Sequence, residues 1–182
     1  MILDTSKEKE IRRRITLGWQ AFGRASEIFK SNIAMVLKRQ VYNQCILPTV
    51  TYGAETWNLT QKQTIKLRSM QRAHERIMLN ITWRDHKTSE WIRNKTGVRD
   101  IMQTVSTLKW NWAGHIARLR DNRWTSKLTH WTPRGRKRRP GRPKTRWRDD
   151  LQKFQPRWTQ LAQDRRVWST MGKAYVQQRT FG

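Results

Sequence analysis

A run of basic side chains late in the chain is the feature best suited to act on a partner. Residues 123–148 contain eleven Lys and Arg and no Asp or Glu. Three prolines and two glycines disfavour a helix and the like charges repel, which predicts an extended segment. Such side chains neutralise phosphates and release counterions, so RNA or DNA is the expected partner of this basic tract. A solubilising linker or a nuclear-localisation signal would have the same composition.

The predicted nucleic-acid contacts extend beyond this tract. Trp124, Trp131 and Trp147 lie among its cations, and aromatic rings beside cations can stack on bases. Three further arginines recur every four residues, as a phosphate-facing row or as an ordinary solvated helix face. The predicted nucleic-acid-binding residues are Arg134, Arg136, Lys137, Arg138, Arg139, Arg142, Lys144, Arg146, Arg148, Arg68, Arg72, Arg76, Lys109 and Arg118.

Gly141-Arg142-Pro143, inside the tract, resembles the core of an AT-hook. An extended segment of this kind can lie along a narrow A·T minor groove, whose negative potential attracts arginine. Pro140 stands where that motif usually has a basic residue, so the pattern indicates groove or backbone binding more than A·T preference.

Asp149-Asp150 is the only adjacent acidic pair, and paired carboxylates can hold Mg²⁺ for phosphoryl transfer. Neighbours on a helix point about 100 degrees apart, so we expect these two to form ion pairs or to lie near a helix N-terminus instead. The four histidines lack ligand spacing, and Cys45 is the only cysteine. The sequence therefore predicts no catalytic residue, no metal site and no cofactor.

The whole chain is basic, with 39 Lys and Arg against 13 Asp and Glu over 182 residues and a net charge of +26. This charge favours nucleic acid over an anionic membrane surface. The longest uncharged run, residues 40–54, is shorter than the about 20 residues that a membrane span needs. No cationic and then apolar leader follows Met1, so we expect a nuclear or cytoplasmic protein that is not secreted.

The apolar spacing predicts a mainly α fold, a helical bundle crossed by one extended basic segment. We expect three parts: a helical domain over 1–122, a basic linker over 123–146 and a C-terminal helical segment over 147–182. The eleven tryptophans are expected to lie mostly in hydrophobic cores.

Capping residues and a proline predict where the first helices begin and end. A helix over 6–29 would begin with a capping box of Thr5 and Glu8, and a later one with a box of Thr60 and Gln63. Between them, a helix capped by Ser31 or Asn32 would kink or end at Pro48. The residues expected on the inner faces of the first two helices are Ile11, Ile15, Trp19, Phe22, Val36 or Leu37, Val41 and Cys45.

A pair of later helices supports a second hypothesis about function. A short helix from Thr88 or Ser89 would end at a left-handed Gly97, and a longer helix would follow with an apolar stripe from Ile101 to Leu119. Such a pair is similar to a helix-turn-helix, which would suit a stand-alone DNA-binding regulator. After Pro143 we expect a short helix and then a last helix capped by Thr159.

Several short motifs occur in a recognisable order. They are Glu10-Ile-Arg-Arg-Arg-Ile15, Ala21-Phe-Gly23, Leu47-Pro48, Tyr52-Gly-Ala-Glu-Thr-Trp57, Thr96-Gly-Val98, Leu108-Lys-Trp110, Trp112-Ala-Gly-His115, Gly141-Arg-Pro143, Thr145-Arg-Trp-Arg-Asp-Asp150, Leu161-Ala-Gln-Asp-Arg165, Trp168 and Ala174-Tyr-Val-Gln-Gln178. Together they resemble the C-terminal part of the endonuclease–reverse transcriptases of non-LTR, LINE-type retrotransposons, over almost the whole chain.

The resemblance implies a helical thumb and a C-terminal extension that follow the polymerase palm. Its implied role is to grip the RNA template and primer duplex, or target DNA, with the upstream palm and fingers as protein partners. The catalytic aromatic-x-Asp-Asp hairpin of that family is missing, since Asp149-Asp150 follows Arg148 in a different region. We therefore expect a fragment that is not an enzyme on its own, although its parent would be an RNA-directed DNA polymerase.

Overall fold

A computed structural model of the chain describes residues 2–119, 124–131 and 145–181. Every regular element in these ranges is helical, which confirms the mainly α fold. The helices are α1 (Ile2–Arg24), α2 (Ser26–Lys30), α3 (Met35–Val41), α4 (Leu47–Thr51), α5 (Gln61–Met78), α6 (Ser89–Thr96), α7 (Ile101–Arg118), α8 (Trp124–His130), α9 (Asp149–Phe154), α10 (Trp158–Leu161) and α11 (Arg165–Phe181). A π-helical turn (Tyr42–Ile46) and two 3-10 turns (Ala54–Thr56 and Trp83–Asp85) complete the regular structure of these ranges.

The chain divides into two compact units that are not continuous in sequence. Unit 1 comprises Met1–Tyr52 and Leu59–Thr104, and unit 2 comprises Gly53–Asn58 and Val105–Gly182. Helix α7 therefore contributes its first turn to unit 1 and its remaining turns to unit 2. The predicted division into 1–122, 123–146 and 147–182 stays a prediction.

The core of unit 1 is aromatic and surrounds one histidine. Phe22 of α1 stacks on Phe29 and on His74, with ring centroids 4.3 Å apart in both pairs. The Tyr42 hydroxyl and His74 Nδ1 are hydrogen-bonded at 3.1 Å. The predicted stripe of α1 is thus confirmed at Phe22 and at the buried Ile11. The predicted Thr5–Glu8 capping box is wrong, because α1 already begins at Ile2.

Helices α3 and α4 differ from the prediction in both start and face. Helix α3 begins at Met35 rather than after Ser31 or Asn32, and it buries Lys38 while Val36, Leu37 and Cys45 are exposed. The Lys38 ammonium group donates to the Met78 carbonyl at 3.2 Å, which gives this buried cation a hydrogen-bond partner. Pro48 lies in the first turn of α4, directly after the π-helical turn. That wider turn suits a residue without a backbone N–H, so the chain passes Pro48 as a helix.

The capping signals in the middle of unit 1 are confirmed. Thr60 and Gln63 form the predicted capping box of α5. The Thr88 hydroxyl accepts from the Trp91 N–H at the start of α6, and Gly97 ends that helix at φ 61°. Asp100 caps α7, since its Oδ1 accepts the N–H of Met102 at 2.8 Å.

Unit 2 is built around two stacked tryptophans. The rings of Trp110 in α7 and Trp168 in α11 lie 3.7 Å apart and are nearly parallel. The indole N–H of Trp110 donates to the Trp168 carbonyl at 3.0 Å, and the Trp168 N–H donates to the Trp110 carbonyl at 3.2 Å. A glycine four residues after each tryptophan makes room for the opposite ring: a Cβ on Gly114 would lie 2.3 Å from Trp168 Nε1, and one on Gly172 would lie 3.0 Å from Trp110.

The C-terminal helices complete this core. Leu151 of α9 is fully buried, and Trp147 and Phe154 pack beside it, as predicted. Thr159 does not cap the last helix, because it lies inside α10. Instead Asp164 Oδ1 accepts the N–H groups of Arg166 and Val167 at 2.8 and 3.1 Å, so α11 begins at Arg165.

Candidate nucleic-acid interface

Helix α8 presents an apolar face with cations around it. Trp124 and Trp131 are 76% and 63% exposed, and Leu128 between them is 64% exposed. The spacing of four residues places Trp124 and Leu128 on one side of the helix, and Trp131 follows directly after its end. The Lys127 ammonium group lies 5.4 Å from the Trp124 ring centroid. Exposed rings beside cations in this arrangement can stack on bases while the cations contact phosphates.

The described segments on either side of residues 132–144 are fastened together. Arg148 Nη1 of the second segment donates to the Thr129 carbonyl of α8 at 3.2 Å. The Trp147 indole N–H donates to the Glu55 carbonyl at 2.7 Å, and the Asn58 amide donates to the Thr145 carbonyl. The two ends of the basic tract are thus held within unit 2 by main-chain acceptors, and Arg146 beside them is exposed.

Most of the tract lies outside the described residues. These positions are Arg134, Arg136, Lys137, Arg138, Arg139, Arg142 and Lys144, together with the Gly141-Arg142-Pro143 motif. Their predicted phosphate contacts remain predictions.

Both carboxylates of the acidic pair have structural partners. Asp149 Oδ2 accepts the Arg146 N–H at 2.6 Å in the turn before α9. Asp150 Oδ2 accepts from the Lys109 ammonium group at 2.8 Å and from the Tyr175 hydroxyl at 3.1 Å, and lies 3.2 Å from Arg179 Nη2. Ion pairing and a place at a helix start account for both, in agreement with the sequence-based expectation.

Lys109 is a correction to the predicted binding set. It is 2% exposed, and its ammonium group lies between Asp150 and the Trp147 ring, whose centroid is 5.2 Å away. Burial lowers the pKa of Lys109, while the Asp150 carboxylate opposes that shift. A side chain held in this way cannot reach a phosphate.

Arg72 is the second correction. It is 6% exposed, contacts the Glu75 carboxylate, and lies 3.5 Å from Asp100 Oδ2. Glu75 is fully buried and also accepts from the Thr96 hydroxyl at 3.3 Å. Burial raises the pKa of Glu75 to about 7, against the opposing pull of Arg72. The middle arginine of the predicted row therefore belongs to an internal ion network of unit 1.

The remaining predicted residues are partly accessible. Arg68 and Arg76 are half-buried on α5, on either side of Arg72 in the sequence. Arg118 is half-buried at the end of α7, where its Nη1 donates to the Ala162 carbonyl at 2.7 Å. That hydrogen bond fastens α7 to the segment after α10, so Arg118 has a structural role in addition to any contact with phosphate.

The helix pair α6 and α7 offers little surface for reading bases. Between Ile101 and Arg118, the exposed residues are Thr107, Asn111 and His115. They form a narrow stripe without arginine or lysine, whereas a recognition helix usually carries several such side chains. The regulator hypothesis stays a prediction, and this surface does not favour it.

The described ranges contain neither a cluster of metal ligands nor a membrane-spanning helix. No three side chains of His, Cys, Asp or Glu come close enough to hold a metal ion there. No helix among the described residues has the length and apolar character needed to cross a membrane.

The chain is similar to a protein named for its transposon origin. Over 174 residues the chain is 32% identical to a protein of Caenorhabditis elegans that is named as an uncharacterized transposon-derived protein. This similarity indicates a transposon origin for the chain. The alignment covers 87% of the chain but 62% of the relative, so the chain spans less than two thirds of that protein. No protein-family model matches the chain, and no solved structure does.

Proposed function

We propose that the chain is a non-catalytic, nucleic-acid-binding part of a non-LTR retrotransposon reverse transcriptase. Its role is to grip the template RNA and primer duplex, or target DNA, next to the palm and fingers of the parent polymerase. The ordered motifs support the assignment to that type of element, and the transposon-derived relative supports its coarser origin.

The observation that carries the binding role is the segregation of charge in unit 2. The acidic pair next to the tract is occupied by Lys109, Arg179 and the Arg146 backbone, so its negative charge is compensated locally. The tract itself has eleven cations and no acid. A polyanion approaching this part of unit 2 therefore meets a field of one sign.

The proposed contacts follow from this arrangement. Phosphates are bound by the cations of the tract, and bases stack on the exposed rings of Trp124 and Trp131. Arg68, Arg76 and Arg118 are the remaining proposed phosphate contacts of their own units, whereas Arg72 and Lys109 stabilise the interior of their units. A grip of this kind is largely independent of sequence, because phosphate contacts carry no base information.

A salt titration tests the proposal. If about eight phosphates are neutralised on duplex DNA, the slope of log K against log salt should be roughly −7. Replacing Arg136, Lys137, Arg138 and Arg139 with Gln should flatten that slope and weaken binding to unrelated sequences alike. An unchanged slope would remove the tract from the interface. Strong preference for one sequence would favour the regulator hypothesis instead.

A further inference from the structure

A second aromatic and cationic surface lies in unit 1, far along the chain from the basic tract. Residues 82–90 form an uninterrupted exposed run between α5 and α6. Trp83 in this run is 73% exposed. Burial of an indole is strongly favourable, so a tryptophan this exposed is a candidate contact for a partner.

The backbone holds Trp83 in a defined position. The Thr82 N–H and hydroxyl both donate to Asp85 Oδ2, at 2.6 and 3.0 Å, which closes the 3-10 turn around Trp83. Asn80 and His86 on either side have φ values of 53° and 47°, in the left-handed region that few non-glycine residues adopt. Conformations of this kind are retained mainly where a fixed local geometry is used.

The charges around the ring suit a polyanion. The Arg84 guanidinium lies 5.7 Å from the Trp83 ring centroid, and the Lys87 and Lys95 ammonium groups lie 5.3 and 5.9 Å from that of Trp91. The Asp85 carboxylate is engaged by Thr82, and those hydrogen bonds lower its pKa. Glu90 is the other acid of the exposed run, which thus has two cations, Arg84 and Lys87, and two carboxylates, one of them already engaged. Lys95 of α6 adds a third cation beside Trp91.

We propose that Trp83 is a stacking platform for an unpaired base of single-stranded RNA or DNA, with Arg84 and Lys87 on the flanking phosphates. The proposal rests on the proposed function in that the chain binds nucleic acid, but it concerns a different unit and a different form of the ligand. Bases in a duplex are already stacked on one another, whereas a single strand can place a base on an exposed ring. The platform therefore selects for single strands.

The test uses the full chain and four oligonucleotides: dT12, rU12, and DNA and RNA duplexes of the same length. Affinities are measured by fluorescence anisotropy for the wild type, Trp83→Ala and Trp83→Phe. Tyr52→Ala is the matched control, because Tyr52 is an exposed aromatic residue of the same unit whose ring is covered by Arg14 at 4.8 Å. Trp83 is 73% exposed, so circular dichroism of Trp83→Ala should match that of the wild type.

We expect Trp83→Ala to weaken single-strand binding at least about fivefold and to leave duplex binding and the salt slope unchanged. Trp83→Phe should retain most of the affinity, and Tyr52→Ala should bind as the wild type does. The ratio of the dT12 and rU12 losses tells which strand the platform prefers. Equal affinities for wild type and Trp83→Ala would overturn the platform and leave Trp83 as a contact for a protein. A wild-type chain that binds none of the four ligands would overturn the proposed function, and the platform with it.

Discussion

Both units combine an aromatic core with a buried ion pair, but the core of unit 1 surrounds His74, whereas that of unit 2 is organised around the stacked Trp110 and Trp168. In unit 1, Glu75 is fully buried and is balanced by Arg72 and Thr96. In unit 2, Asp150 and Lys109 pair beside the tryptophans, and the partly exposed Arg179 completes the group. In both units a carboxylate pairs with a buried cation, Glu75 with Arg72 and Asp150 with Lys109. The position of a cation in the sequence therefore does not tell whether it binds a partner or stabilises the fold.

The largest effect is expected from Arg72→Met. The substitution leaves the Glu75 and Asp100 carboxylates without their shared cation, and breaking a buried pair costs about 3–5 kcal/mol of unfolding free energy. Arg12→Met is the matched control, because the pair of Arg12 with Glu8 is exposed and screened by solvent, so its loss should change stability little. Urea unfolding measures both. Equal small losses would mean that the network of unit 1 contributes little to stability.

Gly114→Ala tests the close approach in unit 2. The added methyl group would meet the Trp168 ring, so we expect a loss of about 1–3 kcal/mol from overpacking. Gly23→Ala, at a helical glycine with nothing near its Cβ position, should instead stabilise the protein by about 0.5–1 kcal/mol. Hydrogen exchange of α11 amides reports the first change locally. A neutral Gly114→Ala would show that the two rings do not require the glycine.

The local parts of this comparison were predictable from the sequence, and the long-range parts were not. Thr60, Thr88 and Gly97 act through residues within a few positions, so their caps were found correctly. Lys109 meets a carboxylate 41 positions away, and Trp110 meets a ring 58 positions away, which no helical period reveals. The sequence also did not predict which face of α3 is buried, since Lys38 points inward and Val36 and Leu37 are exposed.

Signals for the missed features do exist in the sequence. Each stacked tryptophan is followed by a glycine after four residues, at Trp110-x-x-x-Gly114 and Trp168-x-x-x-Gly172. That repeat indicates a ring lying across a helix, although it does not tell which helix. Thr82-Trp83-Arg84-Asp85 carries its own capping pattern, which predicts an exposed turn with an indole at its first position.

The pH dependence of stability separates two neighbouring groups of unit 1. Burial raises the pKa of Glu75 to about 7, so its contribution falls as the pH rises from about 4.5 to 7. Burial lowers the pKa of His74 to about 4, so its contribution rises between about pH 4 and 6.5. In the wild type, these two contributions change the unfolding free energy in opposite directions as the pH rises.

The Glu75→Gln variant therefore keeps only the pH dependence of the unfolding free energy that His74 contributes. Between pH 4.5 and 6.5, its unfolding free energy should rise relative to the wild type by up to about 1.4 kcal/mol per pH unit. His74→Gln should fall by a similar amount over the same range. Urea unfolding at pH 4.5, 5.5 and 6.5 measures both differences. Curves parallel to the wild type would mean that neither group has a shifted pKa.

The smallest effect is expected from Thr60→Ala, which removes the capping box of α5. The Gln63 N–H loses its acceptor at an exposed helix end, so the cost is about 1 kcal/mol. Thr49→Ala is the control, since that exposed hydroxyl bonds only to the carbonyl four residues before it. Thermal unfolding followed by circular dichroism distinguishes them. A loss as large as that of Arg72→Met would mean that helix ends outweigh the internal network of unit 1.

The localisation of nucleic-acid binding to the basic tract is tested most directly by two variants of equal charge. One replaces Arg136, Lys137, Arg138 and Arg139 with Gln. The other replaces four exposed cations of the same unit with Gln: Lys153, Arg157, Arg165 and Arg166. The slope of log K against log salt on duplex DNA should flatten by roughly 3 to 4 in the first variant and stay near the wild-type value in the second. Equal flattening in both would contradict a localised interface and leave only the net charge as the source of binding.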